Sequence, residues 1–283
     1  MEVWVVTHPT KLSEPLYQRG LSLVDDDSVA RIKRFFRRED SCRCLIGRLL
    51  PRVLLSERGV PAKSITFDKT DAGKPYFTTP DLNPRLAFNV SHDNELVAMV
   101  LGPLDSNTDV HGDGDSARAG RLGVDIMKCQ LPLRVPFRSF VRTVGEALTP
   151  SESAFLLDPS KPTHEALKTF YQIWTLKEAY TKALGLGLGF DFARIECVSV
   201  DGTFTVDGKV PRGWEVSLFE VEVVGSGVYV GVAAQCTGGD GETVTRTVGS
   251  EGEGEGGCKV VEIEAGMFLR RAVRTLTGEE CTV

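Results

Sequence analysis

Trp174-Thr175-Leu176-Lys177-Glu178-Ala179-Tyr180-Thr181-Lys182-Ala183 is the stretch from which the rest of the chain can be read. It belongs to a segment, Thr163 to Leu184, that contains neither Gly nor Pro and is followed at once by Gly185. That pattern predicts a helix stopped by the glycine. On such a helix Leu167, Phe170, Tyr171 and Trp174 form an apolar face, and Glu178 and Lys182 continue the same line. A carboxylate at the end of an otherwise buried stripe is costly unless it is paired or bound to a metal. The plain alternative is an i,i+4 ion pair on a solvated surface, worth only about 0.3–0.5 kcal/mol. The helix by itself leaves both readings open.

Two segments upstream carry polar residues that are unusual in strands. Phe88-Asn89-Val90-Ser91-His92 ends in a hydroxyl and an imidazole, which suit phosphate oxygens, although a lone His is also a common structural residue. Leu122-Gly123-Val124-Asp125-Ile126 places an Asp inside a short apolar strand, either as a satisfied structural carboxylate or as a ligand. Asn89-Val90-Ser91 also matches a glycosylation sequon, which inside a strand is accidental. Taken in this order, the segments suggest a site for a metal-bound, phosphate-bearing substrate. Carboxylates would share a divalent cation while Lys, His and Ser meet the anion.

Around these segments the chain reads as α+β. Apolar residues at Cys42, Leu45, Ile46, Leu49, Leu50, Val53 and Leu54 give one face of a helix from Asp40, closed by Gly59 and Pro61. Strands are expected at Glu2 to Val6, Ser64 to Phe67, Arg194 to Val200, Trp214 to Val224, Val228 to Ala234 and Lys259 to Ile263. A hairpin is expected from Leu86 to Leu101 around Asp93-Asn94, with a turn at Asp71 to Pro75. Further helices are expected after Thr149-Pro150 and from Met267 to Leu276. Residues 105–120 and 238–257, rich in Gly, Asp, Ser and Glu, read as flexible segments. Helix-then-strands occurs in both 1–120 and 121–283, so a duplication is suspected from element order alone. Gly185-x-Gly187-x-Gly189 follows a helix instead of opening one, so it reads as helix termination and not as a dinucleotide loop.

Composition limits the class. With 41% hydrophobic and 25% charged residues over 283 positions, the chain can bury a sizeable core. Net charge of −6 argues against general nucleic-acid binding. No apolar run reaches the ~20 residues of a membrane span, and the N-terminus lacks a signal-peptide pattern, so a cytoplasmic protein is expected. Seven scattered cysteines without a Cys-x-x-Cys argue for reduced thiols. Arg31, Lys33, Arg34, Arg37 and Arg38 form a local basic cluster, either a solvated helix face or a landing site for a polyanion.

The three segments, in this order, resemble the motifs of 4′-phosphopantetheinyl transferases. Arg31-Ile32-Lys33-Arg34-Phe35 with Asp40 and Gly47-Arg48, Gly73-Lys74-Pro75, and Gly185 to Phe190 support the likeness. The similarity spans roughly residues 28 to 200, and the length is that of the monomeric Sfp-like class, with broad-specificity eukaryotic cytosolic members nearest in character. The resemblance implies a pseudo-dimer of two similar α+β subdomains, 1–120 and 121–283, with the active site in the cleft between them. It implies a monomeric enzyme that uses Mg²⁺ and, as substrate, coenzyme A. A serine of an apo acyl or peptidyl carrier protein attacks the β-phosphate, giving holo-carrier protein and adenosine 3′,5′-bisphosphate. Such carriers serve fatty acid, polyketide, nonribosomal peptide and lysine biosynthesis.

On this likeness Asp125 and Glu178 would hold the metal, and Glu178 would take the serine proton, directly or through water. Lys182 would stabilise the leaving charge. Ser91 and His92 would contact phosphate oxygens, while Arg31, Lys69 and Lys74 match positions around the 3′-phosphate and adenine. Met127 stands where many bacterial members have a second acidic residue, and a thioether is a poor Mg²⁺ ligand. The rival reading is a non-catalytic coenzyme A or nucleotide-binding module.

Overall fold

Val3, Val5 and Val6 are fully buried and Trp4 nearly so, which makes β1 (Glu2–Thr7) a strand with an apolar layer on each face. In the computed structural model, which describes residues 1–104, 119–186, 189–197, 202–249 and 258–281, β1 pairs antiparallel with β5 (Leu96–Pro103). β5 in turn pairs with β4 (Leu86–Asp93) through a tight turn in which Asn94 takes a φ of 45°. Asn tolerates this left-handed backbone better than most residues, so the hairpin closes where Asp93-Asn94 suggests.

Between β1 and β4 run α1 (Glu14–Leu21), α2 (Asp26–Lys33), α3 (Arg38–Glu57) and the small pair β2 (Phe67–Lys69) and β3 (Pro75–Phe77). The expected strand at Ser64 to Phe67 is instead a 3₁₀ turn over Ala62–Ser64 with the strand starting at Phe67.

The second half repeats this order. β6 (Leu122–Lys128) leads through the short helices α4 (Phe137–Thr143) and α5 (Pro150–Leu156) to the long α6 (Thr163–Leu184). A small pair follows, β7 (Ile195–Cys197) and β8 (Phe204–Val206), then the hairpin of β9 (Trp214–Val223) and β10 (Gly227–Cys236). Sheet order β1-β5-β4 in one half corresponds to β6-β10-β9 in the other. The duplication suspected from element order is therefore present in the topology. Val3, Val5, Ala98 and Val100 of one sheet pack with Val124, Ile126, Phe219 and Val221 of the other, while α3 and α6 cover the outer faces.

Two expectations need correcting. The boundary at residue 120 fails at the C-terminus: β12 (Lys259–Glu264) pairs parallel with β1, and α7 (Ala265–Thr277) buries Phe268, Leu269, Ala272 and Val273 in the core beneath α3. The free edge of β1 needs a partner for its backbone groups, and the chain end supplies it. Residues 238–257 are not uniformly irregular either. β11 (Val244–Val248) pairs parallel with β9, and Val-Thr-Arg-Thr-Val is rich in β-branched residues that favour an edge strand. Residues 250–257 of that segment lie outside the described residues, as do 105–118 of the other segment expected to be flexible, Asp113-Gly114-Asp115 within it, Gly187, and the end of the strand expected over Arg194 to Val200. Among the described residues no helix is long and apolar enough to cross a membrane, and no disulfide is formed.

Candidate active site

The site forms where two sheet edges meet. β4 ends one sheet and β6 ends the other, so each presents backbone groups without a strand partner. Side chains of β4 satisfy those of β6. Asn89 Oδ1 accepts from the Val124 N–H at 3.0 Å, and Asp93 Oδ2 accepts from the Lys128 N–H at 2.7 Å. Between them Ser91 Oγ donates to Asp125 Oδ1 at 2.8 Å. Asn89, Ser91 and Asp93 share one face of their strand by the two-residue period, so a single ladder of side chains joins the sheets with Asp125 in the middle.

α6 closes the other side. Residues 123, 125 and 127 of β6 alternate away from Val124 and Ile126 and face this helix. A Cβ added at Gly123 would fall 2.1 Å from the Ala179 carbonyl oxygen and 2.5 Å from the Ala183 nitrogen. Only glycine permits that approach, which explains the residue before Val124-Asp125 in the sequence segment. The same approach brings Lys182 Nζ to 2.6 Å from Asp125 Oδ1 and 3.1 Å from Ser91 Oγ. Lys182 thus turns to the strand, and the surface Glu–Lys pair of the plain alternative is not how its ammonium is used.

Burial pushes the Asp125 carboxyl above its usual range, against the pull of Lys182 and Ser91. Glu178 is half-buried and its pKa is raised, first by burial and then by the negative charge of Asp125. The two carboxylates therefore feel each other across the helix–strand gap. Asp125 Oδ2 is buried without a hydrogen-bond partner. An orphaned carboxylate oxygen beside a second carboxylate fits a hard divalent cation. Among the described residues no cluster of three or more His, Cys, Asp or Glu residues is placed to hold a metal. Met127 packs instead with the apolar group around Phe170, Tyr171 and Trp174.

His92 lies on the opposite face of β4 from Ser91. The residue is exposed at the strand end, yet crowding of its ring and the cations Arg43 and Lys182 lower its pKa. Arg43 was not singled out by the sequence. It holds the Asn94 carbonyl and Asp40 beside His92, and the i,i+3 spacing from Asp40 was its one available signal. From there a partly exposed stripe of α3 runs through Cys44 and Arg48 to Arg31 on α2, and both arginines act electrostatically on Cys44.

The structure thus groups Asp125, Glu178, Lys182, Ser91 and His92, while Arg31 joins through the α3 stripe. Lys69 is an exposed residue of β2. Lys74 is buried, its Nζ donating to the carbonyls of Gly120 and Ala183. Asn89 and Lys177 were missed as structural members: the first because its strand partner lies 35 residues on, the second because its partner is on another helix. Lys177 is fully buried and pairs with Glu152 at 2.6 Å. The same carboxylate closes the capping box of α5 and accepts from the Cys197 N–H. This pair anchors α6 from behind.

The chain is similar to known proteins over most of its length. Residues 11–103 match the model of the N-terminal region of 4′-phosphopantetheinyl transferases, and residues 121–231 match that of the 4′-phosphopantetheinyl transferase superfamily. A 4′-phosphopantetheinyl transferase, pptA, of Paxillus involutus is 43% identical over 281 residues, covering 98% of this chain and 100% of the relative. The L-aminoadipate-semialdehyde dehydrogenase-phosphopantetheinyl transferase of Mus musculus is 26% identical, over 75% of this chain and 67% of its own. The 4′-phosphopantetheinyl transferase ffp of Bacillus subtilis is 30% identical, over 66% and 72% respectively.

Proposed function

Because the chain belongs to the 4′-phosphopantetheinyl transferase superfamily, we propose that Asp125, Glu178 and Lys182 carry out the transfer of phosphopantetheine from coenzyme A to a serine of apo carrier proteins. The observation that supports this assignment is the buried, unpartnered Oδ2 of Asp125 beside Glu178, with Lys182 already on Oδ1. The serine oxygen bonds to the β-phosphorus, the bond from that phosphorus to the oxygen of adenosine 3′,5′-bisphosphate breaks, and the serine proton leaves to a base. Glu178 is the base, since its raised pKa makes it a better proton acceptor than an ordinary carboxylate. Lys182 meets the charge on the departing phosphate, and His92 with Arg43 receives phosphate oxygens at the β4 end. Arg31 and Arg48 supply the positive end of the stripe for the remaining anionic part of coenzyme A.

Asp125 and Glu178 are the residues that would hold Mg²⁺, which when bound neutralises pyrophosphate charge. With two protein carboxylates and Met127 turned into an apolar cluster, most of the metal shell must come from phosphate and water. Calorimetry should therefore find weak Mg²⁺ binding to the coenzyme-free protein, clear binding once coenzyme A is present, and tighter binding in Met127→Glu. Strong binding by the coenzyme-free parent, unchanged in Met127→Glu, would show that another residue completes the site.

Lys33, Arg34 and Arg37 are exposed around Phe35 and a fully exposed Phe36, and this positive, partly apolar loop would draw an acidic carrier. Cysteines held outside disulfides fit a cytoplasmic enzyme. Incubation with coenzyme A, Mg²⁺ and apo carriers of fatty acid, polyketide and peptide synthesis should add one phosphopantetheinyl mass to at least one carrier. Coenzyme A binding with every carrier mass unchanged would favour the non-catalytic binding module instead.

A further inference from the structure

Lys74 occupies the turn between β2 and β3, where the family likeness puts coenzyme A, but its side chain points elsewhere. The residue is 8% exposed, and its Nζ donates to the Gly120 carbonyl at 2.6 Å and the Ala183 carbonyl at 2.9 Å. Gly120 leads into β6, which carries Asp125; Ala183 follows Lys182 in the last turn of α6. The Ala183 carbonyl is one of the four that a helix end leaves without an internal partner. We propose that Lys74 is a positioning residue and not a phosphate ligand: it fastens the end of α6 and the entry to β6 to a single turn, and so holds Glu178 and Lys182 against Asp125.

The donor count agrees. Burial alone lowers this amine to about 7; Asp71 on its own turn, and Arg121 and Lys182 beside its two acceptors, do not contribute. A neutral amine has two N–H groups, matching the two carbonyls that accept from it among the described residues, whereas an ammonium would carry a third. A group used in this way supplies little charge to a phosphate. The contact at Gly123 shows why fastening matters, since α6 lies so close to β6 that a small slide of the helix collides with the strand.

The proposal rests on the transferase reading for its turnover measurement only. In the full chain, Lys74→Met should keep the dissociation constant of adenosine 3′,5′-bisphosphate, by calorimetry, within roughly 3-fold while turnover falls about 10-fold or more. A rise of about 10-fold or more in that constant with turnover preserved would put Lys74 on the nucleotide and overturn the proposal. Should the variant not fold, the parent decides: its lysine ε signals in NMR should include one amine titrating near 7, unmoved by the nucleotide. Only ordinary lysine titrations, or a neutral one that rises on nucleotide addition, would overturn it.

Stability gives a further readout. The unfolded chain binds more protons than the folded one between about 7 and the ordinary lysine range, so parent stability should rise with pH across that window. Lys74→Met should lose this rise, and a variant that retains it would count against the buried amine. A parent that does not bind the nucleotide would instead sink the transferase reading, leaving the NMR and pH results to judge Lys74.

Discussion

Glu178→Gln is expected to lower phosphopantetheine transfer at least ~10²-fold while leaving the protein as stable as its parent or slightly more so. The amide removes both the proton acceptor and one of the two carboxylates facing the substrate. Burial and the Asp125 charge already disfavour the ionised side chain, so replacing it relieves a local cost. Activity and stability therefore move in opposite directions, which a packing defect would not produce. Rates from intact carrier mass and a thermal melt of each protein test this together. Near-parent turnover would reduce Glu178 to an ordinary polar residue of the helix.

The largest effect on stability is expected from Lys177→Met, about 3–5 kcal/mol, because it strands the Glu152 carboxylate in the interior. Both side chains are 1% exposed, and among the described residues Glu152 keeps the Thr149 and Cys197 N–H groups once the ammonium is gone. The Ala147 carbonyl loses its donor as well. Glu152→Gln with Lys177→Met should be milder than the sum of the two single changes, since the pair is removed together. Denaturant unfolding of the four proteins gives the coupling directly. A loss within about 1 kcal/mol for Lys177→Met would mean that the pair is solvated like a surface bridge.

These two residues are adjacent in sequence, yet only one was legible there. Glu178 continues an apolar stripe, and a charge in such a line is a visible anomaly. Lys177 is flanked by nothing unusual, and its burial depends on α5 arriving from 25 residues upstream. Asn89 is similar. Its sequon match was correctly discounted, but its amide oxygen serves an open backbone donor on β6 that no local pattern advertises. The strand at Val244–Val248 was hidden by the Gly- and Glu-rich composition around it, although its β-branched residues carried a signal.

The sequence by itself determined what depends on neighbours along the chain. The span of α6 from Thr163 to its stop at Gly185, the hairpin at Asn94, the strand carrying Asp125, and the order of the three chemical segments are all local: periodicity, caps and turns act over a few residues. Tertiary structure alone decided which groups meet. It brought β12 and α7 back to the first sheet, set Ser91 and Lys182 on the same oxygen of Asp125, and turned Lys74 inward to two carbonyls. Those outcomes follow from edge strands and helix ends that must satisfy their backbone groups, and the partners that satisfy them are chosen by packing across the fold, at separations no sequence window spans.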